Sequence, residues 1–143
     1  MKTIQDRCTT AIIGTEPYET RVSITGEVDH ALIADVPPGE GGKGKGPTPH
    51  ELLEASIAAC KAITVRMYAD RKGWPLESAT ARTRHDIRSV DGTGPKMHHF
   101  DCELELTGDL TDEQRSRLLE IAGRCSIHKI LQSEPVFATE LIK

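Results

Sequence analysis

Two cysteines are the residues of this chain best suited to chemistry. Cys60 lies in the middle of a long apolar stretch that is predicted to be helical, and Cys125 lies at the start of another predicted helical segment. A thiolate is a strong nucleophile, and a second thiol can trap its oxidised form as a disulfide. If the two sulfurs meet in the folded protein, the chain has the layout of a thiol redox site.

The cysteines also have a purely structural interpretation, because free cysteine is among the most frequently buried residue types. At Cys125 the backbone amides of a helix start favour a thiolate, and His128 follows three residues later, where a protonated imidazole would lower the thiol pKa further. Cys102 fits the inward face of a strand and is interpreted as structural, and Cys8 has no informative context. The residues alone leave both buried structural thiols and a catalytic pair open.

Two further patterns resemble known site types without completing them. Residues 39–45 match G-x-x-x-x-G-K, but Gly46 follows where a phosphate-binding loop has Ser or Thr to hold the metal, so we do not expect a nucleotide. His98, His99 and Cys102 match no common metal-site spacing, and the cysteines lack the C-x-x-C spacing of zinc sites. We expect neither a metal nor another cofactor.

The composition is that of a globular domain, and the 143 residues are expected to form a single domain, 1–143, with a sizeable core. The net charge is −4 and no basic stripe occurs, so nucleic acid is not an expected partner. Glu54, Lys61 and Arg66 interrupt the most apolar stretch, which argues against a membrane span, and the N-terminus lacks the pattern of a signal peptide. We therefore expect a cytoplasmic protein with reduced cysteines.

The elements that position the two cysteines can be predicted from periodicity and from signals at their ends. T-x-x-E and T-x-x-Q capping boxes predict helix starts at Thr48 and Thr111, and Gly73 and Gly123 are placed to end these helices. A shorter helix is predicted over 125–132. The predicted strands, rich in Thr, Val and Ile or alternating in polarity, cover 9–13, 19–25, 29–34, 78–90, 100–107 and 136–142.

The first long helix is expected to be central because its apolar surface is wide. At about 100° per residue, one side carries Leu53, Ile57, Cys60, Ile63, Thr64 and Met67. Glu54 and Lys61 are predicted to lie together, away from this side. Glu51 is explained by capping and lies nearly opposite Cys60 on the helix, so it can act only on a thiol of another subunit.

Two segments resemble one known protein family. The run GPTPHELLEASIAACKAITVRMYADRKGWPLE and the later run GDLTDEQRSRLLEIAGRCSIHKIL are similar to the OsmC/Ohr family of thiol peroxidases, and most to its small OsmC-like branch of redox proteins. The resemblance covers most of the chain from Ala34 onward. It implies an α+β fold in which two antiparallel sheets pack around two central helices of an intertwined homodimer.

The resemblance also implies a reaction. Cys60 matches the peroxidatic cysteine of the family, and Cys125, in CSIH, matches the resolving cysteine of its C-P-V-H motif. The family reduces organic hydroperoxides and is regenerated by a dithiol, which can belong to a lipoylated protein. An apolar wall beside Cys60 would favour fatty or aromatic hydroperoxides. The alternative is a noncatalytic, stress-related or ligand-binding member of the same fold.

The chain departs from the family pattern around the thiolate. Family members carry glutamate directly after the proline of N-P-E, where this chain has His50, and Glu51 comes one residue later. The family also holds the thiolate with an arginine from its N-terminal strands, for which Arg21 is the nearest candidate. Glu51, Arg21 and His128 are the expected supporting residues, because a buried thiolate needs a nearby cation or hydrogen-bond donor.

Overall fold

The computed structural model describes residues 8–142. The described chain forms two compact units, a first unit that ends at Leu53 and a second unit that begins at Glu54. The elements follow one another as three strands, a long helix, two long strands and two shorter helices. None of the helices in residues 8–142 is long and apolar enough to cross a membrane.

The first unit contains a three-stranded antiparallel sheet with strands in sequence order. The strands are β1 (Thr9–Ile13), β2 (Thr20–Ile24) and β3 (His30–Ala34). They are short and rich in Thr, Val and Ile, as the strand predictions for this region required. The end of β3 is its buried part, because Ala34 is 5 % exposed.

Helix α1 (Pro49–Lys72) begins and ends at its predicted signals. The Thr48 hydroxyl accepts from the Glu51 backbone N–H at 3.1 Å, and the Glu51 carboxylate accepts from the Thr48 N–H at 2.9 Å, which completes the capping box. At the other end Gly73 adopts φ 67°, the left-handed conformation that glycine reaches without strain. The predicted bounds of the central helix are confirmed.

The second unit contains a long antiparallel ribbon of two strands, β4 (Leu76–Ser89) and β5 (Lys96–Gly108). The register is continuous from Ser78 opposite Thr107 to Ser89 opposite Lys96, with one irregularity near Leu76. β5 is longer than the predicted 100–107 because the ribbon continues to the turn, whereas β4 begins two residues before and ends one residue before the predicted 78–90. A carboxylate oxygen of Glu54, on α1, accepts the backbone N–H of His85 and ties the helix to β4.

Two helices complete the second unit, α2 (Asp112–Ala122) and α3 (Ser126–Gln132). Thr111 and Gln114 form the predicted capping box at the start of α2. The core of this unit joins α1, the start of β4 and α2, and its members are Val65, Ala69, Leu76, Leu110, Leu118 and Ala122. Leu118 is fully buried, whereas its neighbour Leu119 is 62 % exposed.

The α+β class with two antiparallel sheets is confirmed, but the closing strand over 136–142 is wrong. Residues 134–142 form neither helix nor strand, and the side chains of Val136 and Phe137 are 96 % and 88 % exposed. A strand needs a neighbour to pair with, and this segment pairs with none of the described strands. The intertwined dimer and the single domain remain predictions.

The predicted apolar side of α1 is also partly wrong. Ile63 and Met67 are 58 % and 62 % exposed in the single chain, whereas Lys61, which was expected to lie away from the core, is 5 % exposed. The buried residues of the helix instead recur every fourth position, at Ile57, Lys61, Val65 and Ala69. Burial of Lys61 places a charge beside the second predicted cysteine segment.

Candidate functional site: a thiol pair beside a buried lysine

Cys60 is carried by α1, and its sulfur faces the start of α3. The thiol is free and partly buried, and its Sγ lies 3.5 Å from the Oγ of Ser126, the first residue of α3. The backbone N–H of Ile127 and the hydroxyl of Thr64, one turn further along α1, also hydrogen-bond to this sulfur. Ser126, Ile127 and Thr64 therefore give the Cys60 sulfur a polar environment.

Cys125 is the N-cap residue of α3 and is fully buried. Its Sγ accepts the backbone N–H of His128 at 3.4 Å, a role that Ser, Thr, Asp or Asn normally fills. The thiol of Cys125 also hydrogen-bonds to the sulfur of Cys60. The structure thus brings the two predicted cysteines together as free thiols.

The two sulfurs differ in their tendency to ionise. Burial opposes ionisation of Cys60, but the hydrogen bonds from Ser126, Ile127, Cys125 and Thr64 outweigh it and lower the Cys60 pKa to about 7. Burial raises the pKa of Cys125. The hydrogen bond from the His128 backbone N–H lowers this pKa, and the hydrogen bond to Cys60 raises it further, so the net shift is upward. Interacting groups whose pKa values are pushed apart can take different chemical roles. Cys60 is the more readily ionised thiol of the pair, and Cys125 is the less readily ionised one.

Lys61 is a buried residue of this candidate site that the sequence patterns do not reveal. Its Nζ donates to the Ala122 carbonyl oxygen at 3.0 Å and lies 3.0 Å from Nδ1 of His128. An ammonium group can only donate, so Nδ1 accepts and the proton of the neutral ring lies on Nε2. Burial and the charge of Lys61 both lower the pKa of His128. The expected imidazolium beside Cys125 is therefore replaced by the ammonium of Lys61, whose charge lowers the Cys125 pKa.

A cavity of about 410 Å³ lies between α1, β5 and α3 in the second unit. Its walls are apolar where Ile57, Phe100 and Leu131 line it, and polar where Lys61 and His128 line it. Its volume falls within the range of roughly 300–1,000 Å³ that is usual for small-molecule sites. Cys60 and Cys125 are not among the lining residues, but Lys61 follows Cys60 on α1, and His128 belongs to α3, whose N-cap is Cys125.

A family model described as OsmC-like protein matches residues 42–140, which is more than half of the chain. The chain belongs to the OsmC-like protein family. The matched segment includes both cysteines of the pair and every residue that hydrogen-bonds to them. No curated protein sequence matches the chain at a significant level.

Solved structures of OsmC-like proteins share this fold at low sequence identity. The OsmC-like protein of Mycoplasma pneumoniae has a TM-score of 0.67 and 18 % identity, over 92 % of this chain and 89 % of that chain. An organic hydroperoxide resistance protein of Elizabethkingia anophelis has a TM-score of 0.66 and 20 % identity, over 92 % of this chain and 91 % of that chain. The organic hydroperoxide resistance protein OsmC of Legionella pneumophila has a TM-score of 0.61 and 21 % identity, over 92 % of both chains.

The two remaining supporting residues of this OsmC-like chain belong to the first unit. Arg21 is an exposed residue of β2, opposite Ile12 and Ile33 in the sheet. Glu51 is exposed, and its carboxylate caps α1 through the Thr48 N–H. Their support of the Cys60 thiolate remains a prediction.

The histidines before Cys102 form a cross-strand contact. His98 Nδ1 lies 2.8 Å from Nε2 of His85 on β4, and the two rings are stacked. No group of three His, Cys, Asp or Glu residues within 8–142 is arranged to hold a metal ion. Cys102 is exposed and lines the cavity, because the ribbon of two strands leaves this position uncovered. The prediction that Cys102 is a structural thiol on the inward face of a strand is therefore wrong.

The glycine-rich loop is organised around a buried carboxylate. Asp35 is 2 % exposed, and its carboxylate accepts hydrogen bonds from the backbone N–H groups of Val36, Lys43 and Lys45. These hydrogen bonds lower the pKa of Asp35, with the largest effect from Lys45, although burial acts to raise it. A Cβ on Gly42 would lie 2.0 Å from the Val36 carbonyl oxygen, so the close approach of the loop requires glycine there. Within the loop, the N–H groups of Lys43 and Lys45 are bound to Asp35, and those of Gly42 and Gly44 are bound to backbone carbonyl oxygens.

Proposed function

We propose that this protein is a thiol-dependent peroxidase that reduces organic hydroperoxides through Cys60 and Cys125. Cys60 acts as the peroxidatic cysteine, Cys125 acts as the resolving cysteine, and an external dithiol regenerates the pair. The observation that carries the proposal is the asymmetry of the two contacting thiols, in which the Cys60 pKa is lowered to about 7 and the Cys125 pKa is raised.

The reaction begins at the Cys60 thiolate. Its sulfur attacks the distal peroxide oxygen, the O–O bond breaks, and the alkoxide leaves and takes up a proton to become the alcohol. Cys60 is then a sulfenic acid. The sulfur of Cys125 attacks the sulfur of Cys60, the S–O bond breaks, and the hydroxide leaves with the Cys125 proton as water. A dithiol reopens the resulting disulfide by two exchange steps and is itself oxidised to a disulfide.

The hydrogen bonds around Cys60 support its assignment as the attacking sulfur. At pH 7 a pKa of about 7 leaves roughly half of Cys60 as thiolate. A thiol whose pKa lies near the ambient pH combines a high thiolate fraction with good intrinsic nucleophilicity. Cys125 is buried and its pKa is raised, which suits a thiol that reacts only after Cys60 has been oxidised.

Relatives of the same fold support the substrate class. The proteins from Elizabethkingia anophelis and Legionella pneumophila are named for organic hydroperoxide resistance. The apolar residues of the cavity, Ile57, Phe100 and Leu131, would accommodate the organic part of such a molecule. A reducing cytoplasm, the predicted location, would return both cysteines to thiols between cycles.

The alternative function is that of a noncatalytic, stress-related or ligand-binding member of the family. The cavity lined by Lys61 and His128 favours it, because a binding protein needs such a volume and no redox cycle. This alternative expects no peroxide turnover with any dithiol.

The test is peroxide consumption with dihydrolipoamide as the dithiol and cumene hydroperoxide as the substrate. The parent protein is expected to turn over many times. Cys60→Ser is expected to abolish turnover. Cys125→Ser, given peroxide without any dithiol, is expected to consume about one equivalent and to hold Cys60 as a sulfenic acid that dimedone traps.

Cys8→Ser is the matched control, because it removes a thiol of the first unit that lies outside the contacting pair, and it should turn over at the parental rate. If Cys60→Ser consumes peroxide as fast as the parent, the assignment of Cys60 is wrong. If the parent itself does not turn over with dihydrolipoamide or dithiothreitol, the noncatalytic alternative replaces the peroxidase.

A further inference from the structure

Lys61 is a buried cation without an ionic partner among residues 8–142. The residue is 5 % exposed, and its two hydrogen-bond acceptors, the Ala122 carbonyl oxygen and Nδ1 of His128, are both uncharged. None of the ion pairs within the described residues includes it. A buried charge is costly unless an opposite charge compensates it, so the site as it stands lacks an anion.

The thiol pair does not supply that anion in its reduced form. Cys125, the sulfur whose ionisation responds to Lys61, is held protonated by burial and by its bond to Cys60. The Cys60 thiolate is stabilised by the hydrogen bonds of Ser126, Ile127, Cys125 and Thr64. The charge of Lys61 is therefore available to a molecule that enters from outside.

Lys61 also lines the cavity of about 410 Å³, whose other walls include Ile57, Phe100 and Leu131. We propose that this cavity binds an apolar monocarboxylate, such as a medium-chain fatty acid, with its carboxylate paired to Lys61 and its alkyl chain against the three apolar residues. His128 is neutral and adds no second positive charge, so a single negative charge is matched better than a phosphate dianion.

Binding measurements on the reduced wild-type protein test this proposal without any variant. The probes are decanoate and decan-1-ol, which share the alkyl chain and differ in charge, titrated below the concentration at which decanoate forms micelles. Decanoate is expected to bind saturably and at least about tenfold more tightly than the alcohol, which corresponds to an ion pair worth about 1.4 kcal/mol. Equal affinities, or no binding of either probe, would overturn the proposal.

Variants assign the preference to one side chain. Lys61→Met is expected to weaken decanoate binding at least about tenfold and to leave decan-1-ol within about threefold, while Lys61→Arg keeps the preference for the acid. Lys129→Met, which removes an exposed lysine from the same helix as His128, should change neither affinity. A preference for the acid that survives in Lys61→Met would place the carboxylate elsewhere.

Cys102 reports where the probe binds, because its thiol is exposed and lines the cavity. Saturating decanoate is expected to slow alkylation of Cys102 by iodoacetamide in the wild-type protein and to leave Cys8, in the first unit, unchanged. Equal protection of both thiols, or of neither, would contradict binding in this cavity. The inference does not depend on peroxidase activity, because cumene hydroperoxide is uncharged and its turnover can succeed or fail independently of decanoate binding.

Discussion

At the scale of single residues, the two thiols differ in the hydrogen bonds that each sulfur makes and in how deeply each is buried. The lowered pKa of Cys60 depends on donors that belong to a helix distant in the sequence, above all Ser126, and no local pattern shows that contact. Ser126 stands where the family motif C-P-V-H has proline, a residue without a hydroxyl. The sequence leaves Arg21, a residue of a partner chain and His128 open as the cation, whereas the ammonium group 3.0 Å from Nδ1 of His128 belongs to Lys61, one residue after Cys60.

The role of Ser126 can be measured through the pH dependence of Cys60 alkylation. Because the thiolate is the reacting form, the rate should rise with pH through a midpoint of about 7. Ser126→Ala removes one hydrogen bond to the thiolate, worth about 1 kcal/mol, and should move the midpoint up by roughly 0.7. Iodoacetamide labelling followed by mass spectrometry of the Cys60 peptide gives the rate.

Ser133→Ala is the matched control, because Ser133 caps the other end of α3 and bonds only to a backbone oxygen there. It should leave the midpoint unchanged. A parental midpoint near the ordinary thiol value, or a Ser126→Ala variant that titrates like the parent, would show that this hydroxyl does not activate Cys60.

At the scale of elements, helices with end signals were predictable and a strand without a partner was not. The capping boxes at Thr48 and Thr111 depend on residues three positions apart, so the sequence contains the whole interaction. The segment 136–142 has the composition of a strand, but pairing requires a second strand that composition does not identify. Likewise, the buried positions of α1 recur every four residues, and Lys61 occupies one of them although its charge predicts exposure.

Asp35 is expected to order the glycine-rich loop. Asp35→Ala removes the acceptor of the Lys43 and Lys45 amides, so both should exchange with solvent faster, by about tenfold or more. The pKa of Asp35 is lowered in the folded protein, so its contribution is present above the unfolded pKa and is lost as the pH falls through the lower folded pKa. Hydrogen exchange measured by NMR at pH 7 compares parent and variant.

Asp29→Asn is the control for loss of a negative charge in the first unit, because the Asp29 carboxylate accepts the Gly26 N–H in the turn between β2 and β3 and does not contact the glycine-rich loop. It should not change exchange at Lys43 or Lys45. Unaltered protection of these two amides in Asp35→Ala would mean that the loop is ordered by other contacts.

At the scale of the whole molecule, stability is expected to depend on the core of the second unit. Leu118→Ala empties a fully buried position and should lower the free energy of unfolding by about 2–5 kcal/mol. Leu119→Ala makes the same chemical change at a position 62 % exposed and should cost less than about 0.5 kcal/mol. Urea unfolding gives both values, and equal losses would contradict the assignment of the core.

The exposed apolar residues of the single chain predict a homodimer. Ile63 and Met67 on α1 and Val136 and Phe137 in the C-terminal segment are all more than half exposed, which is unusual for a surface that stays in water. Native mass spectrometry should give twice the mass of the chain, and Met67→Glu should lower the dimer fraction. Glu113→Gln, a charge change at an exposed site on α2, should not. A monomer at micromolar concentration would contradict this expectation.

Cys60 and Cys125 are expected to form one redox pair, and mapping of their disulfide decides this. One equivalent of cumene hydroperoxide is added to the reduced protein, the remaining thiols are alkylated, and the tryptic peptides are mapped without reduction. Peptides 46–61 and 125–129 are expected to become linked by a disulfide, while Cys8 and Cys102 are alkylated. A Cys125 that remains a free thiol while peroxide is consumed, or a Cys60 and a Cys125 that both remain free thiols after the peroxide, would refute the pair.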